Sequence, residues 1–172
     1  MLVTGADQLE PLPYFQATGW FQGLAPSEQE LIRISAQLFE RERTNSFTFS
    51  DYSFVVFPMA KAYEGFIKRT LFEAGLVSKP LYLSKRLRIG RVLNPDLRQQ
   101  HRDELWLYDD FERQCSKEVA QLLWQVWLKC RNNIVHFFPE EKYTVSLTTS
   151  REELVSIASA IEQTVSCAIE YK

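Results

Sequence analysis

The stretch from Asp109 to Phe138, DDFERQCSKEVAQLLWQVWLKCRNNIVHFF, carries the strongest helical pattern in the chain. Val119, Leu122, Leu123, Val126, Trp127 and Cys130 recur along one face, Asp109, Asp110 and Glu112 sit at the positive end, and Pro139 stops the run. The pattern predicts one continuous helix. Its last part breaks a local rule: Arg131-Asn132-Asn133-Ile134-Val135-His136 sets a guanidinium, two amides and an imidazole in an otherwise apolar helix. Adjacent asparagines are poor helix formers, and such departures concentrate where something other than folding is selected.

Outward from this stretch the chain reads as helix joined by loops. Ser27 and Glu30 form a capping-box signature before Leu31, Ile34 and Leu38, which predicts a helix to about Arg43. Ser46 to Ser50 is a polar break. Asp51 to Ala74 then reads as a long helix closed by Gly75, with Pro58 predicting a kink or an onset near Phe54. From Ser78 to Asp103 the periodicity fails, leaving a long connection with a short helix around Pro95 to His101. Tyr143 to Thr148 suggests a short extended piece, and Ser150 with Glu153 a second capping box before the final helix of Leu154, Ile157 and Ile161. Residues 1–26 form an irregular, aromatic-rich arm, and 27–172 one helical domain. The fold class expected is all-α, a bundle of four to five helices. For the arm, three uses stand open: core, dimer contact or partner site.

Composition bounds the function. With 172 residues, 45% hydrophobic and 24% charged, the chain is long enough for a sizeable core, and disordered, collagen-like and low-complexity classes are excluded. Three scattered cysteines, Cys115, Cys130 and Cys167, predict buried thiols in a reducing compartment. Without a leader pattern or a long apolar run, the expectation is a soluble, cytoplasmic protein that does not engage a membrane. Two histidines and these cysteines offer no metal-ligand spacing, and no glycine cluster suits a phosphate-binding loop, so neither metal nor cofactor is expected.

The net charge of −2 argues against indiscriminate polyanion binding, yet it hides segregation. Residues 79–102 hold seven basic groups against Asp96 alone, whereas residues 103–118 carry six acids and two bases. Lys85, Arg86, Arg88 and Arg91 in that basic run are candidate RNA-phosphate contacts. Trp124, Trp127, Tyr63, Phe66 and Phe72 lie on apolar faces and read as core rather than base platforms.

Arg131, the polar Asn132 directly after it, and His136 match R-x4-H, which resembles the motif of the HEPN superfamily. Lys61-Ala62-Tyr63-Glu64 resembles the basic residue and Glu three apart on the second helix of the HEPN domain of RNase LS-type toxins. The likeness covers about residues 50–170. It implies an all-α bundle that dimerises through its motif helices and, in active members, a metal-independent endoribonuclease whose site would comprise Lys61, Glu64, Arg131, Asn132 and His136. Five residues on an ideal helix subtend about 140°, so Arg131 and His136 diverge on one helix, and a two-fold partner would bring two such pairs into one cleft.

The chemistry implied is attack of the RNA 2′-OH on the adjacent phosphorus, leaving a 2′,3′-cyclic phosphate and a 5′-OH. His136 would serve as general acid or base, Arg131 as phosphate clamp and Asn132 as an orienting hydrogen-bond partner, while Glu64 would either hold Arg131 or take the 2′-OH proton. A toxin of a toxin-antitoxin or phage-defence system is the implied setting, with an antitoxin or regulatory protein as partner. HEPN toxins with a nucleotidyltransferase-like antitoxin often carry a modifiable Tyr two residues after the His; Phe138 stands there, which speaks against that mode of silencing. The alternatives are a non-catalytic HEPN dimer that binds RNA, a nucleotide or a partner protein, and a purely structural bundle.

Overall fold

Pro26 sets the start of the first long helix, because a residue without an N–H loses nothing in a first turn whose donors lack partners. The computed structural model describes residues 10–136, 139 and 143–169; the first nine residues of the arm and Phe138 lie outside them. After a 3-10 turn at Phe15–Ala17 come α1 (Gly19–Gln22), α2 (Pro26–Thr44), α3 (Ser53–Glu73), α4 (Lys79–Tyr82) and α5 (Ile89–Val92). A 3-10 turn at Gln99–His101 leads to α6 (Tyr108–Gln114) and α7 (Lys117–Trp127), then a π-helical segment (Leu128–Asn132), α8 (Asn133–Val135) and α9 (Leu147–Ile169). The chain is all-helical, with no strand among the described residues.

Hydrogen bonds fix the relative directions. Glu28 pairs with Arg69 and the Met59 N–H donates to Ser35 Oγ at 2.9 Å, so α2 and α3 run antiparallel. The Tyr52 N–H donates to the Val145 carbonyl at 2.8 Å, placing the starts of α3 and α9 at one end. Cys115 meets Cys167 while Cys130 Sγ reaches the Glu153 carbonyl at 3.9 Å, so α7 opposes α9. The result is an up-down-up-down bundle with α3 at its centre. Helix α3 buries Val55, Met59, Tyr63, Phe66 and Leu71 over about half of its circumference. Each such side chain contributes about 1.5–3 kcal/mol.

The arm does pack down: Phe15, Trp20, Phe21 and Leu24 are buried, and part of it is helical rather than irregular. Pro58 lies within α3 and the helix begins at Ser53, close to the expected onset. Gly75, at φ 74°, ends α3, and the Leu76 N–H returns to the Leu71 carbonyl at 3.0 Å.

Several boundaries differ from the sequence reading. The Ser27–Glu30 box is not formed: the helix starts at Pro26, and it is Glu28 whose carboxylate accepts the N-cap Ala25 N–H at 2.9 Å and also holds Arg69. The Asp109–Phe138 helix is broken at Cys115 and Ser116, where Ser116 Oγ accepts the Val119 N–H at 3.2 Å and caps a new helix. It ends at Val135, with His136 already extended. The expected extended piece is irregular through Ser146, and α9 begins at Leu147 with Ser146 Oγ accepting the Thr149 N–H.

Glu153 does not cap; it is buried, accepting the Tyr143 hydroxyl at 2.6 Å through one oxygen and leaving the other without a hydrogen bond. Burial raises its carboxyl above the ordinary value and pushes the adjacent Cys130 thiol up to about 12, so that thiol is inert at neutral pH.

The cysteines are also corrected. Cys130 remains a buried thiol, but Cys115 and Cys167 are joined as a disulfide with Cα atoms 5.6 Å apart, because the break at Cys115 turns it toward α9. Titration of the unfolded, unreduced protein is expected to find one free thiol rather than three. Reduction should lower stability by about 2–4 kcal/mol, as for a bridge closing a loop of this length, and three thiols before reduction would refute the pairing.

Candidate active site

Along α3 one narrow stripe outside the core carries the sequence motif. Phe54, Phe57, Lys61, Glu64 and Lys68 fall within about 80° of one another on an ideal helix, and each is exposed or half-buried. Glu64 is the member that meets another element. Its Oε2 accepts a hydrogen bond from Arg131 Nε at 2.7 Å, across 67 residues of chain, and its Oε1 lies 2.8 Å from Lys68 Nζ. Burial alone would raise the Glu64 carboxyl, but Lys68 and Arg131 together outweigh it and hold the group below its ordinary value.

Arg131 is fixed on two sides. Glu64 takes its Nε, and its guanidinium carbon stands 5.8 Å from the Trp127 ring centre. The two terminal nitrogens make no hydrogen bond among the described residues, which leaves that edge of the fork for an anion. Arg131 belongs to the π-helical segment, a wider turn that appears as a one-turn insertion in α-helices and often at functional sites. Asn132 follows it, half-buried, and its carbonyl accepts the His136 N–H at 3.2 Å. His136 is exposed, just past the end of α8, where the chain has turned extended.

Lys61 is exposed one turn from Glu64, with no ion pair among the described residues. The structure therefore brings Glu64 and Arg131 into contact, with Lys61 one turn from Glu64, Asn132 next to Arg131 in the chain, and His136 at the surface beyond the end of α8. Lys68, on the same i, i+3, i+7 stripe as Lys61 and Glu64, suits a solvated face as well as a site rim by spacing alone, and its contact with Glu64 places it at the rim.

The basic run is placed by one glycine. A Cβ on Gly90 would come 2.5 Å from Trp127 Cη2, so only glycine allows α5 to lie against that indole. The ring that backs Arg131 thus also seats the loop carrying Lys85, Arg86, Arg88 and Arg91. The first three are exposed with no ion pair among the described residues, whereas Arg91 is engaged by Asp103 at 2.6 Å. Arg102 turns inward, capping the Leu97 and Pro95 carbonyls and stacking on Trp106 at 3.9 Å. Trp124, Trp127, Tyr63 and Phe66 are buried and Phe72 is partly so, as their apolar faces predict.

Compared with known proteins, the chain matches no family model, no curated protein and no solved structure. None of the described helices is long and apolar enough to cross a membrane.

Two outcomes test this geometry. Glu64→Gln should destabilise the fold by about 1–2 kcal/mol at pH 7, since Arg131 loses a half-buried partner. A carboxyl depressed by folding stabilises above its unfolded pKa of about 4.3, and that contribution disappears as pH falls through the folded value. The wild-type advantage should therefore vanish toward pH 3 in denaturation curves; a constant difference would show that the pair is not ionic. Gly90→Ala should cost about 1–3 kcal/mol through overpacking against Trp127, visible as a lowered Tm, and an unchanged Tm would mean that the loop does not sit on the ring.

Proposed function

We propose that the chain is a metal-independent endoribonuclease of the HEPN type, acting as a homodimer and as the toxic element of a toxin-antitoxin or phage-defence system. One observation carries the reading. The two halves of the motif, Lys61/Glu64 and Arg131/Asn132/His136, are far apart in sequence, and the carboxylate of one binds the guanidinium of the other at 2.7 Å. Chance resemblance in two separate stretches does not require them to meet. The half-buried pair also favours the positioning role of the two open to Glu64: a carboxylate neutralised by Arg131 and Lys68 is a poor base.

In the proposed reaction the scissile phosphate lies against the terminal nitrogens of Arg131, with Lys61 beside it. The 2′-oxygen attacks phosphorus while its proton leaves to a base, the bond to the 5′-oxygen breaks, and that oxygen takes a proton. His136 handles one of these protons, and Arg131 stabilises the charge that builds on the equatorial oxygens. A second copy supplies the other imidazole. Leu128 and Val135, exposed at 39% and 38% on either side of Arg131, support a seam along the motif helix.

His136→Ala and Arg131→Ala should each lower cleavage of a single-stranded RNA by at least about 100-fold with the helical spectrum unchanged. The wild-type products should carry 2′,3′-cyclic phosphate and 5′-hydroxyl ends, and wild-type expression should arrest growth where His136→Ala does not. Full cleavage by either variant, or 3′-hydroxyl ends, would refute the assignment. RNA binding without cleavage by the wild type would favour the non-catalytic dimer.

A further inference from the structure

The stripe on α3 does not stop at its charged end. Phe54 and Phe57 continue it toward the start of α3 and are 36% and 46% exposed, and Phe47 and Phe49, in the segment before α3, are 63% and 44% exposed. The rings are not scattered. Phe49 stands edge-on to Phe47 at 5.0 Å and to Phe54 at 5.4 Å, so they brace one another at the surface. Four exposed phenylalanines in one patch are more than a monomer's surface normally leaves to water.

Their position narrows what covers them. Along a single helix face the order is aromatic, aromatic, Lys61, then the Glu64–Arg131 pair, with the unpaired cations of the basic loop beyond Trp127. A ligand that fits must be apolar and flat at one end and anionic at the other. Single-stranded RNA has that alternation, presenting base faces to aromatic rings and phosphates to cations. A polypeptide partner would have to bring apolar side chains and acidic groups in the same order.

Resting on the ribonuclease reading of the same site, we infer that Phe47, Phe49, Phe54 and Phe57 form a base-stacking surface for unpaired nucleotides on one side of the scissile phosphate. The enzyme then selects single-stranded RNA, because duplex bases have no free faces to offer. Selection by stacking also tolerates sequence, leaving the phosphate contacts to set the salt dependence.

The test uses a labelled single-stranded oligoribonucleotide that is 2′-O-methylated throughout and so cannot undergo 2′-OH attack. Its affinity is measured by fluorescence anisotropy for wild type, Phe54→Leu, Phe57→Leu, the double variant and Phe54→Trp. Leucine keeps the apolar surface and removes the ring. Each leucine variant should bind about five- to a hundredfold more weakly with an unchanged salt slope, and Phe54→Trp should retain affinity and show fluorescence quenching.

Wild-type affinity in the double leucine variant would overturn the surface, as would an equal loss against a duplex. No binding by the wild type would do the same. A shift from dimer to monomer in sedimentation, with RNA affinity unchanged per dimer, would assign the patch to a second copy and overturn it too. Cleavage of an unmodified RNA, assayed separately, keeps the two readings apart. Weakened binding with no cleavage by the wild type leaves the stacking surface and removes the nuclease, whereas cleavage with undiminished binding does the reverse.

Discussion

A carboxylate held between two cations organises the surface of this bundle. Glu64 sits on the central helix, where burial alone would raise its carboxyl above the ordinary value, and Lys68 and Arg131 reverse that balance. The pair does for polar groups what Tyr63 does below it, where the phenol donates to the Leu123 carbonyl at 3.1 Å. One turn of α3 therefore ties down both the apolar body and the polar end of the opposing helix. Arg131 is left with its fork pre-set, so little rotamer entropy remains to be lost when an anion arrives.

The neighbouring elements are arranged around the same point. Trp127 backs the guanidinium on one side and receives Gly90 on the other, so a single indole sets how far the basic loop stands from the site. On the far side of α3, Glu28 both caps α2 and pairs with Arg69 at 2.9 Å, so the start of one long helix is locked to the end of the next. The central helix is fixed along its length by polar contacts at three levels, through Arg69, Glu64 and the Met59 N–H. That rigidity is what a site built from one residue on one helix and one on another requires.

Much of the fold was legible in the sequence, for identifiable reasons. Leu31, Ile34 and Leu38, or Tyr63, Ile67 and Leu71, recur with the helical period, and Gly75 marks a left-handed terminus by composition alone. The break at Cys115 was hidden because Val119 and Leu123 resume the apolar face with no proline or glycine between, leaving Ser116 as the sole sign of a new start. The π-helical turn was hidden because a wider turn needs no particular residue type. Phe47 and Phe49 passed as part of a polar break because Asn45, Ser46, Thr48 and Ser50 surround them, although Phe54 and Phe57 share the stripe of Lys61 by simple counting. The site residues were reached through resemblance. Their contact is tertiary, and neither propensity nor period specifies which half-buried acid a given arginine will find.

The π-helical segment has a consequence for how this stretch tolerates length change. Such a turn holds one residue more than an α-turn, so the chain from Leu128 to Asn132 carries a spare unit of backbone. Removing one residue there would not break the helix; it would regularise it, and the pattern of hydrogen bonds would improve. Because the wider turn takes up the spare residue, the residues beyond it would stay nearly where they are, whereas the same deletion in a regular α-turn would rotate them by about 100° and draw them back by about 1.5 Å. A one-residue gap at Leu128–Cys130 is thus absorbed locally, where the same gap within α7 would turn the whole Arg131 end of the helix away from Glu64.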